Sequence, residues 1–405
     1  MWHQRKIWPE LQKDLLTTKQ AMVITGPRRA GKTTTLKWLF EQIKSANKCF
    51  LDLENVGDRS IFEVIDYDNV VANLGQKYNL RLKQKMYIVI DEIQFLPNIA
   101  SIVKYLYDHY DIKFILSGSS SYYLKNYFTE SLSGRKFLYE LFPLTFREYL
   151  EFAGKKYTFP PRNIYAEQIR FNETAFASLR NYYQDYLNFG GYPAVALAAS
   201  REEKLREISE IYSAYINVDV KTLADFRSIA DFRRLIELLA VRVGNRININ
   251  ELSMISGLAR ATIENYLEFL EQTYLVRTIP VESDSPAVRQ RKAKKLYFVD
   301  NGIARINADL SGGQKFENAV SCQLAAQNVR ISYYENKTGE IDFILRSPFG
   351  APESQSVAIE VKETPTEADF TVLKKRAQRL GISGCYLVGR EKSRKFNDYL
   401  WGGEL

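Results

Sequence analysis

Residues 26–33, GPRRAGKT, carry the spacing G-x-x-x-x-G-K-[ST], which suits a grip on a chain of phosphates. Gly26 and Gly31 let the loop between them (Pro27, Arg28, Arg29, Ala30) turn backbone N–H groups inward around phosphate oxygens. Lys32 reaches the β- and γ-phosphates. The hydroxyl of Thr33 ligates Mg²⁺, with Thr34 beside it in the first turn of the following helix, whose positive dipole end faces the anion. A second acidic feature belongs with the first. MYIVIDEI at 86–93 ends in Asp91, suited to hold Mg²⁺, and Glu92, suited to polarise an attacking water. KFILSGSS at 113–120 ends in small hydroxyls, so Ser117 or Ser119 falls where a γ-phosphate sensor belongs. ATP and Mg²⁺ are the cofactors this chemistry expects.

Such residues need a sheet to hold them. AMVITG at 21–26 reads as a buried strand running into the loop, and TTLKWLFEQI after it has helical periodicity. CFLDLEN, MYIVIDEI, KFILSGSS and KFLYELFPL alternate with helical stretches, the pattern of a parallel α/β sheet with its ligand at the carboxyl ends of the strands. Arg135, in SLSGRKF, is a candidate arginine finger acting on a neighbouring subunit's nucleotide, which would require a homo-oligomer. It equally suits a solvated loop.

Composition narrows the rest. A chain of 405 residues is too long for one ordinary core. Two histidines exclude His-rich zinc sites and most His-dependent acid–base chemistry. Cys49, Cys322 and Cys385 form no CxxC pair. Catalysis must therefore run on carboxylates, lysines, hydroxyls and bound Mg²⁺. No run is apolar and long enough for a membrane helix, and the first residues lack a signal-like apolar segment, so a cytoplasmic protein without membrane association is expected. A net charge of +8 permits a polyanionic partner.

GPRRAGKTTTL, IVIDEIQ, LSGSSSYYL, SLSGR and LFPLTFREYL together resemble a large group of prokaryotic AAA+-like P-loop ATPases, in which a winged helix and a nuclease-like module follow the ATPase. By this resemblance Lys32, Thr33, Asp91 and Glu92 take the Walker positions. Gln94 matches the string DEIQ without a role that the sequence supplies. The expected domains are an ATPase at 1–150, a helical connector or lid at 151–228 (with a break at Pro160–Pro161 and the turn NFGGYPAV), a winged helix at 229–298 and an α/β restriction-endonuclease-like domain at 299–405. In the third, helix, turn with Gly257, helix and ribbon follow the winged-helix order, and a DNA reader would turn Arg260, Thr262, Asn265 and Tyr266 to the groove. Glu264, Glu268 and Glu271 oppose phosphate there, so a structural or protein-docking role competes. Arg289, Arg291, Lys292, Lys294 and Lys295 form a basic wing suited to DNA phosphates, or a solvated charge run.

Near the end, SVAIEVKET at 356–364 puts Glu360 and Lys362 on one face of a strand, with Asp342 on the partner strand of a hairpin. Two carboxylates meeting beside a lysine suit Mg²⁺-dependent phosphodiester cleavage: the acids hold the cation and the lysine orients water or steadies charge. A helix glutamate, then D, then ExK resembles the PD-(D/E)xK superfamily, in particular archaeal Holliday-junction resolvases. That likeness implies Glu317, Asp342 and Glu360 as metal ligands and Lys362 as catalytic, with Ile341 standing where many members have proline. An exposed charged face and a fold kept for DNA binding without cleavage suit the same residues. The expected function is a Mg²⁺-dependent ATPase acting on DNA, with endonuclease activity of the C-terminal domain as its furthest extension. The alternative is a nucleotide-dependent switch ATPase controlling a protein partner, its nuclease-like domain inert.

Overall fold

The computed structural model describes residues 2–118, 132–159, 169–221, 228–283, 285, 287, 289, 292–327, 329–336, 339–346 and 356–405. Ser119, Pro160–Pro161, Arg291 and most of the turn PFGAPESQS lie outside the described residues. The chain divides into two units. The first is Met1–Phe142 with Gln272–Tyr274, and the second is Pro143–Glu271 with Leu275–Leu405.

In the first unit helix α1 (Trp8–Thr17) precedes strand β1 (Ala21–Thr25), α2 (Lys32–Gln42) and β2 (Lys48–Asp52). Helices α3 (Val56–Arg59) and α4 (Asp68–Tyr78), strand β3 (Met86–Asp91), α5 (Ile99–His109), β4 (Ile112–Gly118) and β5 (Lys136–Glu140) follow. The five strands are parallel in the order β2-β3-β4-β1-β5. Both β1 and β4 are buried at every position, so both sheet faces need cover. The period of two divides β1 between the covers. Ala21 and Val23 pack with residues of α4 and α5, whereas Met22 and Ile24 pack with Leu11 of α1 and Leu36 of α2. This places the loop after β1 and the acids after β3 at the same carboxyl edge.

The second unit begins with α6 (Phe146–Phe152), α7 (Glu173–Phe189), α8 (Pro193–Leu197) and α9 (Arg201–Ala214). Part of the stretch expected as a connector belongs to the C-terminal core, because Leu179, Tyr183 and Tyr186 are buried in one cluster with Phe343, Ile359 and Trp401. Three helices, α10 (Ile229–Ala240), α11 (Ile249–Ser256) and α12 (Arg260–Gln272), lead into an antiparallel ribbon of β6 (Val276–Ile279) and β7 (Lys295–Phe298). Tyr266 corrects the groove-facing expectation. It is buried against Phe232, ring centroids 5.1 Å apart, because its position on α12 falls on the apolar stripe with Ile263 and Leu270.

After α13 (Asn301–Asn307) and α14 (Gly312–Ala325) comes a second five-stranded sheet, interrupted by one helix. Its strands are β8 (Arg330–Asn336), β9 (Gly339–Arg346), β10 (Val357–Lys362), β11 (Gly384–Gly389) and β12 (Leu400–Trp401), with α15 (Glu367–Arg379) between β10 and β11. The order is β12-β11-β10-β9-β8; β9 is antiparallel to both β8 and β10, and β11 and β12 continue parallel to β10.

NFGGYPAV has a use beyond stopping a helix. The buried Asp300 carboxylate accepts the N–H of Gly191 (2.6 Å), Gly302 (2.8 Å) and Ile303 (3.3 Å). A Cβ on Gly190, at φ 81°, would stand 2.1 Å from an Asp300 oxygen. Burial pushes the Asp300 carboxyl up to about 6, against the three N–H groups that favour its charge. Gly190→Ala combines a disfavoured backbone with a clash against a buried charge. It is expected to lower unfolding free energy by about 2 kcal/mol or more, read as a shifted urea midpoint. A midpoint within error of the parent's would refute this packing.

Candidate functional site

The phosphate loop is built from the backbone outward. Gly26, at φ 146°, leaves no room for a side chain, since a Cβ there would sit 2.2 Å from the carbonyl oxygen of Leu141. Leu141 in turn donates its N–H to Thr25 (2.7 Å), extending the β5 pairing up to the start of the loop. Gly31 closes the loop at φ 99° and caps α2. Lys32 is 5% exposed, and its Nζ donates to the carbonyls of Gly26 (3.0 Å) and Pro27 (2.9 Å). Arg28 is half-buried, Arg29 exposed at φ 62°, Ala30 buried, Thr33 half-buried and Thr34 exposed.

Asp91 ends β3 and is 1% exposed. Its Oδ1 accepts a short hydrogen bond from the Ser117 hydroxyl of β4 and another from the N–H of Glu92 (3.0 Å). Glu92 adopts φ 53°, turning its carboxylate out of the strand direction, and its Oε2 accepts from the Gln94 amide. Burial raises the Glu92 pKa, with Lys32 opposing and the Asp91 charge reinforcing. A magnesium nucleotide fits these groups: a loop without room for a Cβ, an ammonium over it and a braced carboxylate at the same edge. Lys32 and the loop backbone would hold phosphates, with Thr33 and Asp91 on the metal.

Arg135 is removed from this site. Its guanidinium pairs with Asp108 at 2.8 and 3.2 Å, and its carbonyl accepts from the N–H of Ala21, at the end of β1 opposite the loop. The cause is register: β5 starts at Lys136 beside Ala21, so Arg135 lies at the edge of the sheet opposite its own chain's loop.

In the second unit the antiparallel pairing of β9 and β10 runs Leu345 to Val357 and Phe343 to Ile359. One step further brings Asp342 beside Glu360. Asp342 Oδ2 accepts the N–H of Val361 (2.8 Å), and Lys362 Nζ donates to Glu360 Oε1 (2.9 Å). Glu317 on α14 reaches the same place, its Oε1 accepting from Tyr297 (2.7 Å). The acids do not close on one another. Lys295 Nζ lies between them, 3.5 Å from Glu317 Oε1 and 3.5 Å from Asp342 Oδ1, and pairs closely with Glu340. Among the described residues no three acidic, histidine or cysteine side chains stand close enough to hold a metal.

Lys295 is therefore no part of an exposed basic wing. It begins β7 with its side chain 4% exposed, and Asp342, Glu317 and Glu340 outweigh the cost of burial and raise its pKa. Lys292 and Lys294 are exposed and Arg289 is half-buried.

The sequence reading missed four contributors. Arg5 donates to Ala30 (2.8 Å) and to Phe142 (2.7 Å), clamping the phosphate loop. No pattern marks it. Gln94 holds Glu92, and the adjacency in DEIQ was the available signal. Lys295 and Tyr297 could have been suspected from KKLYFVD, where alternation turns every second residue toward a core.

A protein-family profile described as "AAA domain" matches residues 18–150, and two described as domains of unknown function, DUF8612 and DUF4143, match 180–313 and 312–401. An uncharacterized protein of Methanocaldococcus jannaschii is 26% identical over 92% of this chain and 82% of its own length. An uncharacterized protein of Haemophilus influenzae is 26% identical over 90% and 89%. Among solved structures, the Aeropyrum pernix ORC1 protein in complex with DNA is 15% identical, covers 79% of this chain and 92% of that chain, and has a TM-score of 0.33. That score is too low to bear on ligands. The front unit is thus similar to an AAA-type P-loop domain and carries the parallel α/β sheet of a P-loop NTPase fold. No described helix is long and apolar enough to cross a membrane.

Burial, then the Asp342 charge, pushes both Glu317 and Glu360 up to about 7. Each folded carboxyl holds its proton more tightly than an unfolded one titrating near 4.5. Their contribution to stability is full below that value and lost as pH rises through about 7. The urea midpoint of the parent should fall between pH 5 and 8, and Glu317→Gln with Glu360→Gln should flatten that fall. Equal slopes would contradict the burial of these acids.

Proposed function

We propose that the chain hydrolyses Mg²⁺–ATP in its first unit and uses the nucleotide cycle to act on DNA through its second. The single observation that carries the ATPase half is the bracing of two adjacent acids beside the phosphate loop, Asp91 by Ser117 and Glu92 by Gln94. Bound Mg²⁺ would neutralise phosphate charge as the terminal bond breaks. Lys32 contributes a fixed ammonium over the loop. Glu92 is oriented by the Gln94 amide and desolvated enough to be a better proton acceptor than an ordinary glutamate, which suits removal of a proton from the attacking water. Ser117 holds Asp91 in one rotamer.

For the second unit the reading is a winged helix (α10 to α12 with the β6–β7 ribbon) followed by a nuclease-like sheet. The order of elements supports it, as do the exposed Lys292 and Lys294 beside the ribbon. Asp342 and Glu360 with Lys362 would supply metal-dependent cleavage of a phosphodiester. The residues fit such a metal in part: Glu360 Oε2 is buried and accepts no hydrogen bond from the described residues, an oxygen available to a cation. One observation favours the second reading, a switch ATPase whose rear domain does not cut, namely the Lys295 ammonium already standing between Glu317 and Asp342.

One assay separates these readings. ATP hydrolysis is measured with and without duplex, single-stranded and branched DNA, and the same DNA is then run on a gel. DNA-stimulated turnover supports action on DNA; unstimulated slow turnover supports the switch. Glu92→Gln should bind ATP yet slow its hydrolysis by about 100-fold or more, and parental turnover would refute the assigned base. Any cleavage should vanish in Asp342→Ala and Lys362→Ala, and cutting that survives both belongs to another site.

A further inference from the structure

We propose that Lys295 is the resident cation of the C-terminal carboxylate cluster, so that a divalent metal enters only by displacing its ammonium. The inference rests on reading that cluster as a metal-dependent site, and it names what regulates loading. Its basis is occupancy. Lys295 Nζ is within 3.5 Å of oxygens on both Glu317 and Asp342 and pairs with Glu340, while its side chain is 4% exposed. A hard divalent cation binds carboxylate oxygens at about 2.0–2.6 Å and cannot share them with an ammonium held among them. The lysine leaves part of the cluster unserved, since among the described residues Glu360 Oε2 has no hydrogen-bond partner and is buried.

Lys295 is also fixed from outside the sheet it serves. Its position on β7 pairs with Ile279 of β6 and bridges to Arg246, while neighbouring backbone bonds run from Ile247 to Lys294 (2.9 Å) and from Leu296 to Asn245 (3.0 Å). The ribbon is fastened to β8 and β9 in turn: Tyr333 donates its N–H to Pro280 (3.0 Å), and Arg346 pairs with Glu282 (2.8 Å). Gly244 packs on the cluster from the same side, where a Cβ would lie 3.1 Å from Glu317 Oε2. Withdrawal of the ribbon would therefore take the ammonium out of the cluster and leave its acids uncompensated, open to a metal. Metal loading thereby becomes sensitive to whatever engages the three-helix and ribbon segment.

The test is Mn²⁺ binding by the full chain, without nucleotide, followed by calorimetry and by electron paramagnetic resonance of free Mn²⁺. Parent, Lys295→Met, and Lys295→Met combined with Asp342→Asn are compared. Displacement predicts that Lys295→Met binds Mn²⁺ at least about tenfold more tightly than the parent, because one opposing charge is gone, and that Asp342→Asn removes the gain. Equal, Asp342-dependent affinity in parent and Lys295→Met overturns the proposal while leaving the metal site standing. Absence of any Asp342-dependent Mn²⁺ binding overturns both. Should methionine prevent folding, Lys295→Gln keeps a donor without the charge and carries the same outcomes. A variant that folds only when Mn²⁺ is present supports displacement.

Discussion

An ammonium taken out of water must be met by oxygen atoms, and this one constraint shapes both units. Lys32 meets it with two loop carbonyls, which fixes its charge where phosphate would lie. Lys295 meets it with carboxylates from α14 and β9, which ties a ribbon strand to the C-terminal sheet. Lys113 of β4 meets it with oxygens of Asp14, Thr18 and Gln20, and burial still brings its pKa down to about 8. In each case the surrounding backbone has to hold still, because a lost partner leaves a buried charge exposed to the full cost of its desolvation.

The front unit shows how little freedom such a site allows. Gly26 packs on Leu141, Arg5 grips Ala30, and Trp8 reaches Thr35 of α2 (3.1 Å), so the loop is held on several sides by segments distant in sequence. Asp91 and Glu92 are adjacent yet held by different neighbours, one across the sheet and one along the chain. Two carboxylates side by side would repel and wander; separate anchors give each a distinct orientation and leave them free to play different roles.

Much of this was legible in the sequence. The loop spacing, the buried strand before it and the acid pair after β3 each follow a local rule, and local rules survive translation into structure. The antiparallel hairpin that sets Asp342 beside Glu360 was also readable, since alternation and turn signals suffice. What escaped was non-local. Arg5 has no motif, and its partners lie 25 and 137 residues away. Lys295 reads as one of five clustered basic residues, and only the register of β7 against β6 and residue 246 turns it inward while Lys292 and Lys294 stay in solvent. Arg135 read equally as a finger for a neighbouring subunit or a solvated loop residue, and the start of β5 sets it at the sheet edge away from its own chain's loop. Tyr266 was grouped with the residues a DNA reader would turn to the groove, although its helical phase matches Ile263 and Leu270.

The central claim is that the loop after β1 grips a triphosphate through Lys32. Equilibrium titration of the parent and of Lys32→Ala with a fluorescent, non-hydrolysable ATP analogue and Mg²⁺ addresses it directly. Saturable binding by the parent, weakened about 100-fold or more by the substitution, is the result the account requires. Equal affinity in the two proteins, or none in the parent, would contradict it.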